Sequence, residues 1–325
     1  MNEEAPLDPA RPIIDPHHHL WDPGLPIVPA FLVGEMAAVI EASGHNFTHT
    51  VFLECRAMYR QEGPEAMKPV GEVEFANGMA AMSASGRYGP CRIAAAIVGT
   101  ADLRLGSKVT EILEAHKAAA PERFRGIRVS VACAQEGLFG GPPNPSIKGV
   151  MMDSRFREGV GAVESLGLSL DIWCLHTQLD EFVQLADAFP NQMIVLDHLG
   201  TPLSPKGGAI SDGALFSAWR DGIRAVARRP NVLIKVGGLG MDLHSFGESR
   251  QRPSSELAAE WKPYVESAIE VFGAERCMFE SNYPPDGVAG SYGAIWNAFK
   301  IITADYSDAE KNQLFRGTAA KTYGL

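Results

Sequence analysis

Short runs of aliphatic and β-branched residues alternate along this chain with segments whose apolar positions recur every three to four residues. The runs Pro12–Asp15, His49–Glu54, Arg92–Val98, Phe124–Val129, Leu168–Leu175, Met193–Asp197, Val232–Val236 and Cys277–Glu280 read as strands. Helical periodicity marks Lys108–Ala119, Gln178–Phe189, Leu215–Arg228 and Glu256–Phe272 among the segments between them. Pro190-Asn191 and Arg229-Pro230-Asn231 each stop a helix just before a strand begins. Met193-Ile194-Val195-Leu196-Asp197 and Val232-Leu233-Ile234-Lys235-Val236 are apolar almost throughout, as in parallel strands covered on both faces.

Eight such strand–helix units predict an α/β fold, a single (β/α)8 TIM barrel, distorted and carrying extended βα loops. The loops are the Gly- and Pro-rich stretches 134–149, 201–212 and 241–253, each of which follows a strand. One domain over 1–325 is expected, with 1–10 as an N-terminal extension. A doubly wound open sheet fits less well. No Gly-x-Gly-x-x-Gly follows the first strand and no Gly-x-x-x-x-Gly-Lys-Ser/Thr occurs anywhere.

Composition narrows the function classes. With 29 Lys+Arg against 39 Asp+Glu the net charge is −10, and no dense basic cluster offers a nucleic-acid surface. No run of about 18 apolar residues is present, so no membrane span is expected. The five cysteines (Cys55, Cys91, Cys133, Cys174, Cys277) are scattered, and the opening Met1–Pro12 is acidic and Pro-rich without an apolar core. A cytoplasmic protein acting on a small molecule is expected, with a homo-oligomer left open.

A barrel gathers its reactive groups at the C-terminal ends of its strands. Those ends carry His17, His18 and His19, then Glu54, Arg125 and Arg128, His176, Asp197-His198, Lys235, and Glu280-Ser281-Asn282. His17 and His19 stand at i and i+2, so on an extended strand both imidazoles converge on one ion or one substrate, while His18 points away. Glu54 closes an apolar strand and needs a cation, a metal or a proton; Arg56 and Lys235 are the candidate ion-pair partners. Arg128 offers a planar fork to a substrate carboxylate, with a salt bridge at the rim as its alternative. His176 and His198 could each serve as ligand, base or hydrogen-bond donor. Trp21, Tyr59 and Tyr283 flank the same ends as walls for a ring-shaped substrate, Trp173 reads as packing, and His244 lies in a loop where it could touch substrate. No Gly-x-Ser-x-Gly supports a serine nucleophile.

Together these residues resemble the amidohydrolase superfamily. The resemblance rests on Asp15-x-His17-x-His19-x-Trp21-Asp22, Phe124-Arg125-Gly126-Ile127-Arg128, Asp197-His198-x-Gly200 and Met278-Phe279-x-Ser281-Asn282-Tyr283-Pro284. It points to the amidohydrolase-2 branch of metal-dependent TIM-barrel hydrolases, which includes pyrone-dicarboxylate lactonase, sugar lactonases and sulfomuconolactonase. The resemblance implies that His17 and His19 are the family's H-x-H pair, and that His176 and His198 are its fifth- and sixth-strand histidines. It likewise makes Arg128 the arginine that holds a substrate carboxylate. Two departures stand out. No fourth-strand Lys is available to bridge two metals, and the eighth-strand Asp is Asn282, whose amide takes no proton from water.

The reading that follows is a hydrolase that opens a small carboxylated or oxygen-rich lactone. Glu54 or His176 would act as base, Asn282 would orient water or the carbonyl, and Arg128, Trp21, Tyr59, Tyr283 and Lys235 would contact substrate. At most one divalent ion is expected, Zn²⁺ first, on His17, His19 and His176 with Glu54 as a further ligand; metal-independent action is the alternative. A metal-dependent non-oxidative decarboxylase of an aromatic or muconate-like acid is the second reading. A barrel that binds ligand without catalysis is the third.

Overall fold

All eight apolar runs are strands, and they pair in parallel and in chain order. They are β1 (Pro12–His18), β2 (Asn46–Leu53), β3 (Arg92–Gly99), β4 (Phe124–Ser130), β5 (Ser169–Trp173), β6 (Ile194–Leu196), β7 (Val232–Val236) and β8 (Cys277–Phe279). The computed structural model describes residues 4–22, 29–134, 137–139, 141–202, 213–241 and 250–325. Much of the three expected loops, His244 included, lies outside those residues.

Helices α1 (Val33–Ser43), α2 (Val70–Ala84), α3 (Val109–Ala119), α4 (Ser154–Ser165), α5 (Leu179–Ala188), α6 (Gly213–Ala227), α7 (Ser254–Phe272) and α8 (Tyr292–Ile302) separate and follow the strands. Two short helices, α9 (Asp308–Asn312) and α10 (Thr318–Tyr323), end the chain. The expected helix bounds agree to within two residues. Strands β5 and β6 stop earlier than the apolar runs suggested, because Leu175 and Asp197 have already left the ladder for tight turns. None of the described helices is long and apolar enough to cross a membrane.

The sheet curls into a barrel whose last seam is held mainly by a side chain. Between β8 and β1 the backbone contributes a bridge of His18 to Tyr283 and a hydrogen bond from His19 N to Tyr283 O at 2.9 Å. The Asp15 carboxylate does the rest. It accepts from Ser281 N (3.1 Å), Ser281 Oγ (2.6 Å), Tyr292 Oη (2.9 Å) and His17 N (3.3 Å). A fully buried carboxylate with four donors closes the ring without a ladder.

Inside the barrel the lowest layer is apolar. Ile14, Val51, Leu53, Ala96, Val98, Val195 and Met278 pack there against Ala319 and Tyr323 of α10. The end of the chain is therefore the floor on which the site stands. A larger apolar shell, including Trp219, Trp261, Trp296 and Phe299, fills the space between sheet and helices.

Glu72, in the first turn of α2, is buried and shapes the connection that follows β2. Its Oε1 accepts from both Cys55 N and Ala57 N at 2.8 Å. Burial, with Glu54 nearby, pushes its carboxyl from 4.5 up to about 8. Between those values the folded chain binds a proton that the unfolded chain has lost, so stability falls as pH rises through that window. Glu72→Gln keeps the acceptor oxygen and removes the titration. Its unfolding free energy relative to the natural protein should rise between pH 4.5 and 8, by at most about 1.4 kcal/mol per pH unit. Urea melts at three pH values would show this, and a constant difference would mean that Glu72 is ionised in the folded protein.

Candidate active site

The H-x-H pair turns inward as its spacing requires. His17 Nε2 and His19 Nε2 lie 3.3 Å apart inside the barrel mouth. His18 turns the other way, onto Thr50 Oγ1 at 2.8 Å, and burial lowers its pKa to about 3. His19 Nδ1 faces the Leu53 carbonyl at 2.9 Å. A carbonyl only accepts, so Nδ1 carries the proton of the neutral ring and Nε2 presents its lone pair to the site. Burial, then the neighbouring cations and histidines, holds both rings well below the usual imidazole range; Lys235 weighs most on His17 and Arg128 on His19.

Opposite them stands a histidine–carboxylate pair. His198 Nδ1 donates to Glu280 Oε1 at 2.7 Å, and Glu280 Oε2 lies 2.8 Å from His17 Nδ1. One carboxylate thus orients two imidazoles whose ring centroids are 4.6 Å apart. Burial opposes charge on His198, but Glu280, followed by Asp197 and Asp286, outweighs it and raises its pKa. The backbone reaches this placement through left-handed conformations at His198 (φ 55°) and Leu199 (φ 56°), which non-glycine residues adopt only at a cost. Gly238 (φ +67°) makes room for the ring, since a Cβ there would sit 2.4 Å from His198 Nδ1.

Below the histidines lies a layer of buried charge. Lys235 Nζ contacts Asp171 Oδ2 at 2.7 Å, Asp197 Oδ1 at 3.1 Å and His17 Nδ1 at 3.3 Å. Lys235 is fully buried. The expectation that it touches substrate is therefore corrected, because it lies under the histidines and its partners are protein carboxylates.

Two further expectations change together. Glu54 Oε1 lies 2.7 Å from Arg128 Nε, and Arg128 Nη2 also donates to the Glu54 carbonyl at 2.5 Å. The cation Glu54 needed is Arg128, not Arg56 or Lys235. Both side chains are buried, so this is no rim bridge. Arg128 is not an uncommitted fork for a substrate, nor Glu54 an uncommitted base or ligand.

His176 is also placed differently from the expectation. Its Nδ1 lies 3.3 Å from the Thr201 carbonyl, and the described ligand-bearing group that could hold a metal is His17, Asp197 and His198. Asn282 is buried (φ 47°) and gives its Nδ2 hydrogen to Asp286 Oδ1 at 2.7 Å.

The aromatic residues expected as substrate walls lie in separate surroundings, and Trp21 and Tyr283 do not line the cavity that Tyr59 lines. Trp21 stacks on His19 at 6.1 Å, Tyr283 meets Phe31 and Tyr292, and Tyr59 lines a cavity of about 580 Å³. Trp173 lines that cavity too and contacts the His198 ring, so it is more than packing. The cavity runs from Glu54 and Arg128 over the ends of β2 to β5. The sequence gives no role to Asp171 or Asp197, and offers Glu280 only as a carboxylate to set beside Glu54. Their signal was a charged residue within or at the end of a strand otherwise apolar, which a buried parallel strand tolerates only with a partner.

A divalent metal fits these residues. Among the described residues neither buried oxygen of Asp197 has a hydrogen-bond partner, although its Oδ1 lies 3.1 Å from the Lys235 ammonium, and the His19 lone pair faces His17. Carboxylate and imidazole donors together suit a divalent ion.

The family model described as Amidohydrolase matches residues 14–325. An uncharacterized protein of Sinorhizobium fredii, y4mH, is 33% identical over 96% of this chain and 98% of its own. L-fucono-1,5-lactonase of Burkholderia multivorans is 24% identical over 71% of this chain and 72% of its own. Among solved structures, a zinc-bound amidohydrolase of Burkholderia multivorans superposes with a TM-score of 0.73 at 23% identity, over 96% of this chain and 99% of that one.

The geometry sets an expectation for metal binding. Chelator-treated protein should take up one Zn²⁺ per chain, and His17→Asn should weaken binding by about 100-fold or more. His176→Asn should change it by less than about threefold. Equal losses in the two variants, measured with a competing zinc indicator, would return His176 to the ligand set.

Proposed function

The chain belongs to the Amidohydrolase family, and we propose that it is a lactonase, a hydrolase that opens a small carboxylated or oxygen-rich cyclic ester. The observation that carries this reading is the facing of His17, His19, Asp197, His198 and Glu280 across one barrel mouth, beside a cavity large enough for a ring. The relationship to L-fucono-1,5-lactonase supports the substrate class, and the zinc in the superposed neighbour supports Zn²⁺ as the ion.

Opening a lactone needs positive charge at the carbonyl oxygen, an oriented water, and a place for that water's proton. A divalent ion held by His17, Asp197 and His198 would polarise the carbonyl and acidify water. Glu280 fixes the orientation of His198 through its hydrogen bond and lies 2.8 Å from His17 Nδ1. His19 Nε2, its tautomer set by the Leu53 carbonyl, accepts a hydrogen bond from the attacking water and orients it. Burial and Arg128 keep that ring from holding the proton. Asp197 is the proton acceptor: its Oδ1 meets the Lys235 ammonium at 3.1 Å, and its Oδ2 has no hydrogen-bond partner among the described residues. This role passes to Asp197 from Glu54, which is committed to Arg128, and from His176, which stands outside the cluster. Tyr59, Trp173 and Phe139 wall the cavity against the flat face of a ring.

Acid release from a panel of sugar lactones and carboxylated lactones, followed at constant pH, tests the reading. Carbon dioxide release from aromatic acids is measured in parallel. Lactone opening is expected, with kcat reduced by about 10²–10⁴ in Asp197→Asn at saturating Zn²⁺ and by less in Glu54→Gln. Carbon dioxide without acid release would make the protein a decarboxylase, and ligand binding without turnover would make it a receptor barrel.

A further inference from the structure

Five of the described residues that line the 580 Å³ cavity are charged: Glu54, Arg56, Asp102, Arg104 and Arg128. Four of them cancel in pairs. Arg128 meets Glu54 at 2.7 Å, and Arg104 holds Asp102 through Nε at 2.8 Å and Nη2 at 2.9 Å. Arg56 is left over. Among the described residues it makes no hydrogen bond and no ion pair, and it is exposed. In a chain of net charge −10, the one uncompensated charge among the described residues of this wall is positive.

The chain also holds Arg56 in place. The two amides that flank it, Cys55 N and Ala57 N, are both pinned at 2.8 Å to one oxygen of buried Glu72. Bending two amides onto a single acceptor leaves Arg56 with φ 65°, in the left-handed region that an arginine adopts only with strain. Strain of this kind persists where the surroundings over-determine it, and it is concentrated at ligand-binding positions. Here it coincides with the unpaired guanidinium.

We infer that Arg56 is the anion receptor of this cavity and selects substrates bearing a carboxylate. The carboxylate lies over the ends of β2 and β3 while the reacting ester faces the histidines. The inference deepens the lactonase reading and rests on it for the reacting group, but the binding claim stands on the cavity alone. The role expected of Arg128 passes to Arg56, because a guanidinium already neutralised by Glu54 has little charge left to offer an anion.

The test uses the full chain and a pair of probes of one shape and different charge, benzene-1,3-dicarboxylate and benzene-1,3-dicarboxamide, titrated calorimetrically at low and high salt. The dicarboxylate should bind at least about 10-fold more tightly than the diamide, with the gap narrowing as salt rises. Arg56→Gln should erase the preference and Arg56→Lys should keep part of it. Arg56→Gly should erase it too, with Tm unchanged or raised by about 1–2 °C, because glycine adopts this backbone without strain. A natural protein without charge preference overturns the inference, and so does a preference that survives Arg56→Gln. If the preference follows Arg56 while no lactone is opened, the lactonase reading falls and this one stands. If lactones are opened and Arg56→Gln leaves the preference intact, the opposite holds.

Discussion

The Lys235 ammonium, buried on the barrel axis, governs much of what surrounds it. An isolated ammonium there would cost several kcal/mol, so it requires anions close by. Asp171 at 2.7 Å and Asp197 at 3.1 Å supply them. Those carboxylates are buried in turn and need their own partners. Asp171 finds them in Ser169 Oγ at 3.1 Å and Tyr323 Oη at 2.6 Å, which brings the last helix of the chain into the charge layer. Above this layer Glu280 adds another anion, and Glu54 a fourth beside Arg128. Four carboxylates then face two permanent cations. Of these, Glu280 and Asp197, together with Asp286, raise the pKa of His198, and the negative surplus is what a divalent cation would offset.

The strands were legible because burial on both faces makes a parallel strand a continuous apolar run. Val232–Val236 begins and ends where its sequence says. Where a run carried on past its strand the limits were misplaced, as at Leu175 and Asp197, since both residues leave the ladder for tight turns. The H-x-H pair was legible too, because the two-residue period of an extended chain fixes its side. The Glu54–Arg128 pair was not. Glu54 follows β2 and Arg128 belongs to β4, with β3 between them, so only the curvature of the closed barrel brings them together. Alternation told that Lys235 faces inward but not how deep it lies, and depth separates a charge-layer cation from a substrate contact.

Depth also distinguishes Glu280 from Asn282. Both face inward from the end of β8, two residues apart, yet Glu280 sits among the histidines while Asn282 reaches outward to Asp286. Asp286 is fully buried, its carboxyl raised to about 7 by burial, and its second oxygen accepts Gly240 N at 2.9 Å. Asp286 thus fastens the loop after β8 to the loop after β7, the same loop in which Gly238 packs on His198, and the amide of Asn282 holds Asp286 from within its own loop. A carboxylate at position 282 would face Asp286 across that 2.7 Å contact, and the two could not both be ionised without a shared proton. Position 282 can serve as a proton acceptor or as the donor that holds Asp286 in place, but not both while Asp286 stands opposite. The amide is therefore consistent with an active barrel: negative charge is retained one step lower, on Glu280, and the loops that shape the His198 pocket keep their tie.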